Sequence, residues 1–198
     1  MTHVFPGMGA TREMYSGPWL HLPNACFHNW PKNFTGTTVE DLARQIVIEQ
    51  RIQANDILIG SSLGGIIACE IANQLPIKRL ILIGSATHKD EVNTLLNVLH
   101  PLIDFSPLKL IQSLSSSIPH ELSTMFAATD SAFINTLSKA IFQWHGLKAK
   151  VPTTRIHGKN DHVIPLPNRV DHIIDGGHLI AMSHAQECVD AIGGTAPN

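Results

Sequence analysis

The chain has 198 residues, of which 43% are hydrophobic and 15% are charged, and its formal net charge is −2. This length and composition predict one globular domain, residues 1–198, and argue against disorder. The small net charge gives no reason to expect nucleic acid or an anionic membrane as a partner, and no apolar run approaches the roughly 18 residues that span a bilayer.

The first residues of the chain and the spacing of the cysteines indicate the cellular compartment. The first residues lack a basic stretch followed by an apolar one, so no secretory signal is expected. Cys26, Cys69 and Cys188 are odd in number and widely spaced, as in proteins whose thiols stay reduced. We therefore expect a cytoplasmic protein.

Short apolar runs alternate with helical patterns along the chain. Runs typical of strands occupy residues 3–5, 25–30, 56–59, 79–83, 154–157 and 172–174, and helical spacing occupies residues 38–51, 63–75 and 181–192. Strands that are apolar on both faces and separated by helices predict an α/β fold. The simplest form is a doubly wound, mostly parallel sheet of about six strands with helices on both faces.

Residues 87–146 interrupt this alternation. They contain no convincing strand pattern, and their short helical patterns at 91–99, 108–114 and 132–144 are separated by Pro101, Pro107 and Pro119. We interpret this interval as a short helical cap inserted within the single domain.

A G-x-S-x-G motif, Gly60-Ser61-Ser62-Leu63-Gly64, lies between the third apolar run and the helix that follows it. Such a turn is tight enough to require Gly60 and Gly64, and it strains the central serine so that its Oγ stands above the sheet. The N-terminus of the next helix favours negative charge there. Ser62 is therefore the candidate nucleophile.

Two further polar residues follow the last two apolar runs. Asp161 comes in the turn after residues 154–157, and His178 comes in the loop after residues 172–174. Because reactive groups gather beyond the carboxyl ends of parallel strands, we expect both side chains at the edge that carries Ser62.

This order of serine, acid and histidine resembles the α/β-hydrolase superfamily over essentially the whole chain. The resemblance implies that Ser62 is the nucleophile, His178 the base and Asp161 the acid. It also implies an oxyanion hole made of backbone N–H groups: Leu63, and Met8 in the loop after the first run, with Gly9 as the alternative to Met8. Pro6 stands where the family usually has histidine, and the two usual N-terminal strands of the fold are expected to be missing.

Competing assignments are few. Asp90 occupies a position that some family members use for the acid. Asp175 is expected to end the strand or to cap the turn, and Ser61 is expected to point into the fold. No H-E-x-x-H or Cys/His spacing indicates a metal. Arg12 stands where a dinucleotide fingerprint would need its third glycine. We therefore expect neither a metal nor a cofactor.

The predicted function is a serine hydrolase, carboxylesterase-like, that cleaves a small-molecule ester of small to medium apolar acyl or aryl type. The alternatives are a thioesterase or a carbon–carbon bond hydrolase on the same residues, or a non-catalytic protein that binds a small hydrophobic ligand. No arginine lies between Arg79 and Arg155, which disfavours an anionic substrate.

The protein is expected to be a monomer or a small homo-oligomer. Some apolar cap residues should line the pocket: Leu95, Leu99, Leu102, Ile103, Phe105, Leu108, Ile111, Met125, Phe126, Phe133, Leu137, Phe142 and Trp144.

Overall fold

The computed structural model describes residues 1–92 and 131–194. Within these residues, six strands form one sheet in the order β2-β1-β3-β4-β5-β6. Every neighbouring pair is parallel, which confirms the predicted parallel α/β sheet. The strands are β1 (Thr2–Phe5), β2 (Ala25–Phe27), β3 (Ile57–Ser61), β4 (Arg79–Ile83), β5 (Thr153–Gly158) and β6 (His172–Ile174).

The described α-helices are α1 (Val39–Gln50), α2 (Leu63–Gln74), α3 (Ser131–Gln143), α4 (Ile180–Ser183) and α5 (Ala185–Gly194), with 3-10 helices at Arg12–Met14, Gly17–His21 and Lys89–Val92. Helix α1 begins where the sequence predicts it, because Thr38 caps the first turn. The Thr38 hydroxyl accepts the N–H of Asp41, and the Asp41 carboxylate accepts the N–H of Thr38. Helix α2 ends before Leu75, which is extended because a proline follows it.

Alternate residues of the central strands face two separate cores. Leu58, Leu80 and Leu82 pack in one core with residues of α1, α2 and α3. Ile59, Ile81 and Ile83 pack in the other, with residues of α4, α5 and the first two 3-10 helices. Both faces of the sheet are therefore covered, as the doubly apolar strands predict.

Two predicted elements differ from the structure. The single helix predicted over residues 181–192 is two helices, because His184 leaves helical geometry at φ −129° and ψ 43° between α4 and α5. The apolar spacing continues across this break, so periodicity alone does not reveal it. The strand predicted over residues 25–30 ends at Phe27. Within the described residues, β2 is an edge strand whose pairing with β1 runs from Ala25 to Phe27.

The interval 87–146 is described only at its ends. Helix α3 matches the pattern predicted over residues 132–144, whereas the pattern at 108–114 and most of that at 91–99 lie outside the described residues. Among the predicted pocket residues, Leu137 and Trp144 are buried in the core, Phe133 is half-buried and Phe142 is 51% exposed. The other nine lie outside the described residues.

In the part of the chain that the structure describes, none of the helices combines the length and apolar character needed to cross a bilayer.

Candidate active site

Ser62 lies in the turn between β3 and α2, at the carboxyl edge of the sheet. Its φ of 51° and ψ of −119° fall outside the regions that a serine normally occupies, and such a conformation costs about 1–3 kcal/mol. Two hydrogen bonds hold the residue there: its N–H donates to the carbonyl of Ile83 at 3.0 Å, and its own carbonyl accepts the Ser85 hydroxyl at 2.7 Å. The structure thus has the strained turn that the motif predicts.

The two glycines of the motif are required by backbone contacts. A Cβ on Gly60 would lie 2.2 Å from the carbonyl of Gly64. A Cβ on Gly64 would lie 2.4 Å from the oxygen of Phe5 and 2.5 Å from that of Pro6. Because backbone atoms cannot move aside as a flexible side chain can, Gly64 allows the loop after β1 to lie directly against the turn that carries Ser62.

The structure brings the three predicted triad residues together. His178 Nε2 lies 2.9 Å from Ser62 Oγ, and His178 Nδ1 lies 2.9 Å from Asp161 Oδ2. Asp161 follows β5 and His178 follows β6, so adjacent strand ends supply the two side chains. All three residues are at least nine-tenths buried. A hydroxyl, an imidazole and a carboxylate linked in this order can move a proton away from the hydroxyl oxygen.

Asp161 is held by further contacts. Its Oδ1 accepts the backbone N–H groups of Val163 and Ile164, each at 2.9 Å. Its Oδ2 lies 3.3 Å from Nε2 of His157, which also lies 2.8 Å from the carbonyl of Ile164. Burial by itself would raise the pKa of Asp161, but the bonds from His157, His178 and Ile164 hold that pKa well below its usual range. The carboxylate is therefore ionised at neutral pH.

The competing residues lie elsewhere. The Asp90 side chain is 73% exposed and pairs with His88 at 3.1 Å, so it does not contact His178. Asp175 is exposed just after β6 and accepts a hydrogen bond from the Asn160 side chain. Ser61 is the last residue of β3 and is buried, as the sequence predicts.

Two backbone N–H groups near Ser62 have no acceptor within the part of the chain that the structure describes. Among the described residues, no backbone or side-chain oxygen accepts the N–H of Leu63 or that of Met8. Both residues are more than nine-tenths buried, and buried N–H groups without partners are rare in proteins. Gly7, which precedes Met8, lies against the serine: a Cβ on Gly7 would be 3.6 Å from Cβ of Ser62. Unpaired backbone N–H groups of this kind can donate to an oxygen atom of a bound molecule.

Two hydrogen bonds to the carbonyl of Gly7 hold the loop that carries Met8. The carbonyl of Gly7 accepts the N–H of Ala10 at 3.2 Å, which closes a turn in which Gly9 has a φ of +74°. The same carbonyl accepts the indole N–H of Trp30 at 3.0 Å.

A cavity of about 630 Å³ borders this loop. Its lining includes Ala10 and Thr11, which follow Met8 closely in the chain, and the aromatic side chains of Trp30, Phe34 and Phe133. The ring of Phe133 lies 5.9 Å from that of Trp30 and 6.0 Å from that of Phe34, measured between centroids. The cavity thus has an aromatic wall, and its size is typical of small-molecule sites. The polar residues of its described lining are Thr11, Asn29, Lys32, Asn33, Thr35 and Thr136, and Met8 and the triad lie outside that described lining.

Three residues of this site were not predicted from the sequence. His157 is the last residue of the apolar run 154–157 and contacts Asp161. Its position four residues before Asp161, near a strand end, could have suggested this contact. Trp30 and Ser85 contact Gly7 and Ser62 across 23 residues each. No local pattern predicts such contacts.

Comparison with solved structures identifies the same fold in several hydrolases. A thermophilic esterase from Thermogutta terrifontis superposes with a TM-score of 0.75 and 15% identity, over 98% of this chain and 88% of that one. A hydrolase from Oleispira antarctica gives a TM-score of 0.75 and 16% identity over 98% and 89%. An enol-lactonase from Burkholderia xenovorans LB400 gives 0.69 and 16% over 98% and 90%.

At the level of sequence, the model of the alpha/beta hydrolase family matches residues 3–191. The chain therefore belongs to the alpha/beta hydrolase family. No curated protein matches the chain in sequence.

Proposed function

We propose that this hydrolase cleaves carboxylic esters through an acyl-enzyme on Ser62. The observation that carries the proposal is the continuous chain of contacts from Ser62 Oγ to His178 and from His178 to Asp161, each 2.9 Å long. The strained turn, the burial of all three residues and the ionised Asp161 carboxylate support the same assignment.

In acylation, Ser62 Oγ attacks the ester carbonyl while His178 Nε2 accepts the hydroxyl proton. The carbonyl π electrons move to oxygen, and the resulting oxyanion accepts the N–H groups of Leu63 and Met8. Collapse of this intermediate breaks the bond to the alcohol oxygen, which takes the proton from His178. Asp161 keeps the imidazole in the tautomer that has a free Nε2 and stabilises its charged form.

Deacylation repeats these steps with water as the nucleophile. His178 accepts a proton from water, the hydroxide adds to the acyl carbon, and collapse expels Ser62 Oγ, which regains the proton. The products are a carboxylic acid and an alcohol. Each step uses only the side chains and backbone groups described above.

The cavity beside the Met8 loop supports a small to medium apolar acyl or aryl group as the substrate's main binding element. Its wall of Trp30, Phe34 and Phe133 offers flat apolar surface, and it begins two residues after the proposed oxyanion donor at Met8. We further propose that the protein acts in the cytoplasm, as a monomer or a small homo-oligomer, with residues 87–146 as a cap on the single domain.

The proposal is tested by hydrolysis of p-nitrophenyl esters from acetate to decanoate, comparing the wild type with Ser62→Ala. We expect the wild type to prefer short or medium chains and Ser62→Ala to lose at least ~10³-fold in kcat, since the remaining site cannot form an acyl-enzyme. A wild type that is folded but inactive on every ester would contradict the proposal and favour a role in ligand binding.

A further inference from the structure

The chain has three tryptophans, and each indole N–H has a specific acceptor. Trp19 donates to the carbonyl of Ala181 at 2.7 Å, and Trp144 donates to the Glu70 carboxylate at 3.2 Å. Trp19 and Trp144 are both fully buried. Trp30 differs because it is only partly buried and its acceptor is the carbonyl of Gly7, in the loop beside Ser62.

The carbonyl of Gly7 and the N–H of Met8 belong to the same peptide group. This group is planar and trans, so its C=O and N–H bonds point in opposite directions. A donor that fixes the direction of the Gly7 carbonyl therefore also fixes the direction of the Met8 N–H. In the proposed mechanism, that N–H is one of the two donors to the oxyanion.

Trp30 holds this peptide from outside the loop, whereas the other hydrogen bond to the Gly7 carbonyl comes from the loop itself. The N–H of Ala10 closes the turn on the Gly7 carbonyl from within the loop. The preceding peptide is held only weakly, because its N–H, that of Gly7, points to Sδ of Met14 at 3.5 Å and a thioether sulfur is a weak acceptor. Trp30 lies 23 residues along the chain, in the segment after β2, so its bond ties the loop to a different part of the fold.

The same indole forms part of the cavity wall. Its ring contacts Phe133 of α3, near the C-terminal end of the sequence interval 87–146. A group bound in the cavity would therefore touch the side chain that donates to the Gly7 carbonyl.

We propose that Trp30 is a positioning residue for the oxyanion hole: its N–H holds the Gly7 carbonyl and thereby aims the Met8 N–H. This inference rests on the proposed hydrolase function. Trp30 itself donates nothing to the substrate, so its removal should weaken stabilisation of the oxyanion more than binding of the uncharged ester. A tryptophan that merely fills space in the cavity wall would instead affect substrate binding.

The test compares Trp30→Phe with the wild type, since phenylalanine keeps an aromatic ring in the wall and removes the N–H. With p-nitrophenyl acetate we expect kcat to fall ~10-fold and KM to stay within ~2-fold, because misplacing one donor costs less than deleting it. The second readout is inhibition by phenylboronic acid. There, Ser62 Oγ adds to boron, His178 takes the proton, and the tetrahedral boronate mimics the oxyanion. Its Ki should rise ~10-fold, in parallel with the loss in kcat.

Trp19→Phe is the matched control, because it also removes a buried indole hydrogen bond, to the carbonyl of Ala181, and Trp19 belongs neither to the triad nor to the described lining of the cavity. Its kcat and boronate Ki, corrected for the folded fraction, should stay within ~2-fold of the wild type. If Trp30→Phe fails to fold, site-specific replacement of Trp30 by benzothienylalanine removes the N–H while keeping the bicyclic shape.

Three outcomes would overturn the inference. Trp30→Phe with unchanged kcat and Ki would show that the bond does not position the donor. A change in KM alone would assign the ring to packing in the cavity wall. A folded wild type that neither hydrolyses esters nor binds the boronate would remove the proposed function and this inference with it. The wild-type measurement alone reveals this last outcome, so failure of the proposed function is distinguished from failure of the inference about Trp30.

Discussion

Asp161 receives hydrogen bonds from two backbone N–H groups on Oδ1 and faces two imidazoles on Oδ2. These contacts hold the Asp161 carboxylate in one position and keep it ionised. His178 can then present Nδ1–H to Asp161 and keep Nε2 free for the Ser62 proton. The sequence leaves Asp90 open as an alternative acid, and in the structure the Asp90 side chain is exposed and pairs with His88.

Replacing Asp161 with asparagine should reduce kcat ~10³- to 10⁴-fold. The amide keeps nearly the same shape, but it removes the negative charge and offers His178 an N–H group where it needs an acceptor, which favours the wrong tautomer. Steady-state hydrolysis of p-nitrophenyl acetate measures the effect. Asp90→Asn is the control and should keep kcat within ~2-fold of the wild type. A large loss in Asp90→Asn together with a small one in Asp161→Asn would reverse the assignment.

At the scale of elements, the contact between β1 and the chain after β2 buries two histidines. His3 Nδ1 lies 2.8 Å from Nε2 of His28, and His3 Nε2 lies 3.2 Å from Asp56 Oδ2. The His28 ring also stacks on Phe5, with centroids 5.3 Å apart. Burial lowers the pKa of His28 to about 4, with a further contribution from the nearby His3, and burial also lowers the pKa of His3.

These lowered pKa values predict that stability falls in mild acid. Above about pH 6.5 the imidazoles are neutral in both the folded and the unfolded chain, and their burial carries no protonation cost. As the pH falls from about 6.5 to about 4, the unfolded chain takes up protons that folded His28 does not, so the free energy of unfolding decreases, by up to about 3 kcal/mol for this residue. Urea unfolding across this range measures the loss.

His28→Gln should flatten the pH dependence in that window, although it also removes ring stacking and so lowers stability at pH 7. His21→Asn, which changes an exposed histidine, should leave the slope unchanged. Asp161 does not affect the slope in this range, because a carboxylate with a lowered pKa loses its contribution to the free energy of unfolding only below about pH 4. An unchanged slope in His28→Gln would contradict the account of this contact.

For the whole molecule, the sheet explains why separate chain segments meet at one site. Met8, Ser62, Asp161 and His178 follow β1, β3, β5 and β6, and parallel strands place their carboxyl ends at the same edge. The sequence predicts this much, because each strand is an apolar run and each polar group follows one directly. The placement of Ser62 before a helix likewise depends only on adjacent residues.

Contacts between distant segments could not be predicted in the same way. The bond from Trp30 to Gly7 depends on where the chain turns after β2, and the strand predicted over residues 25–30 ends three residues early. The break at His184 leaves the apolar spacing intact and so gives no signal. The aromatic wall of the cavity joins the segment after β2 to α3, and this pairing follows from packing in three dimensions.

The central claim is that Ser62 is a covalent nucleophile. It is tested most directly by the intact mass of the protein after reaction with a fluorophosphonate, in which a serine oxygen attacks phosphorus and fluoride leaves. We predict one phosphonyl group on the wild type, mapped to the peptide of Ser62, one on the Ser61→Ala control and none on Ser62→Ala. Equal labelling of Ser62→Ala, or no labelling of the folded wild type, would contradict the claim.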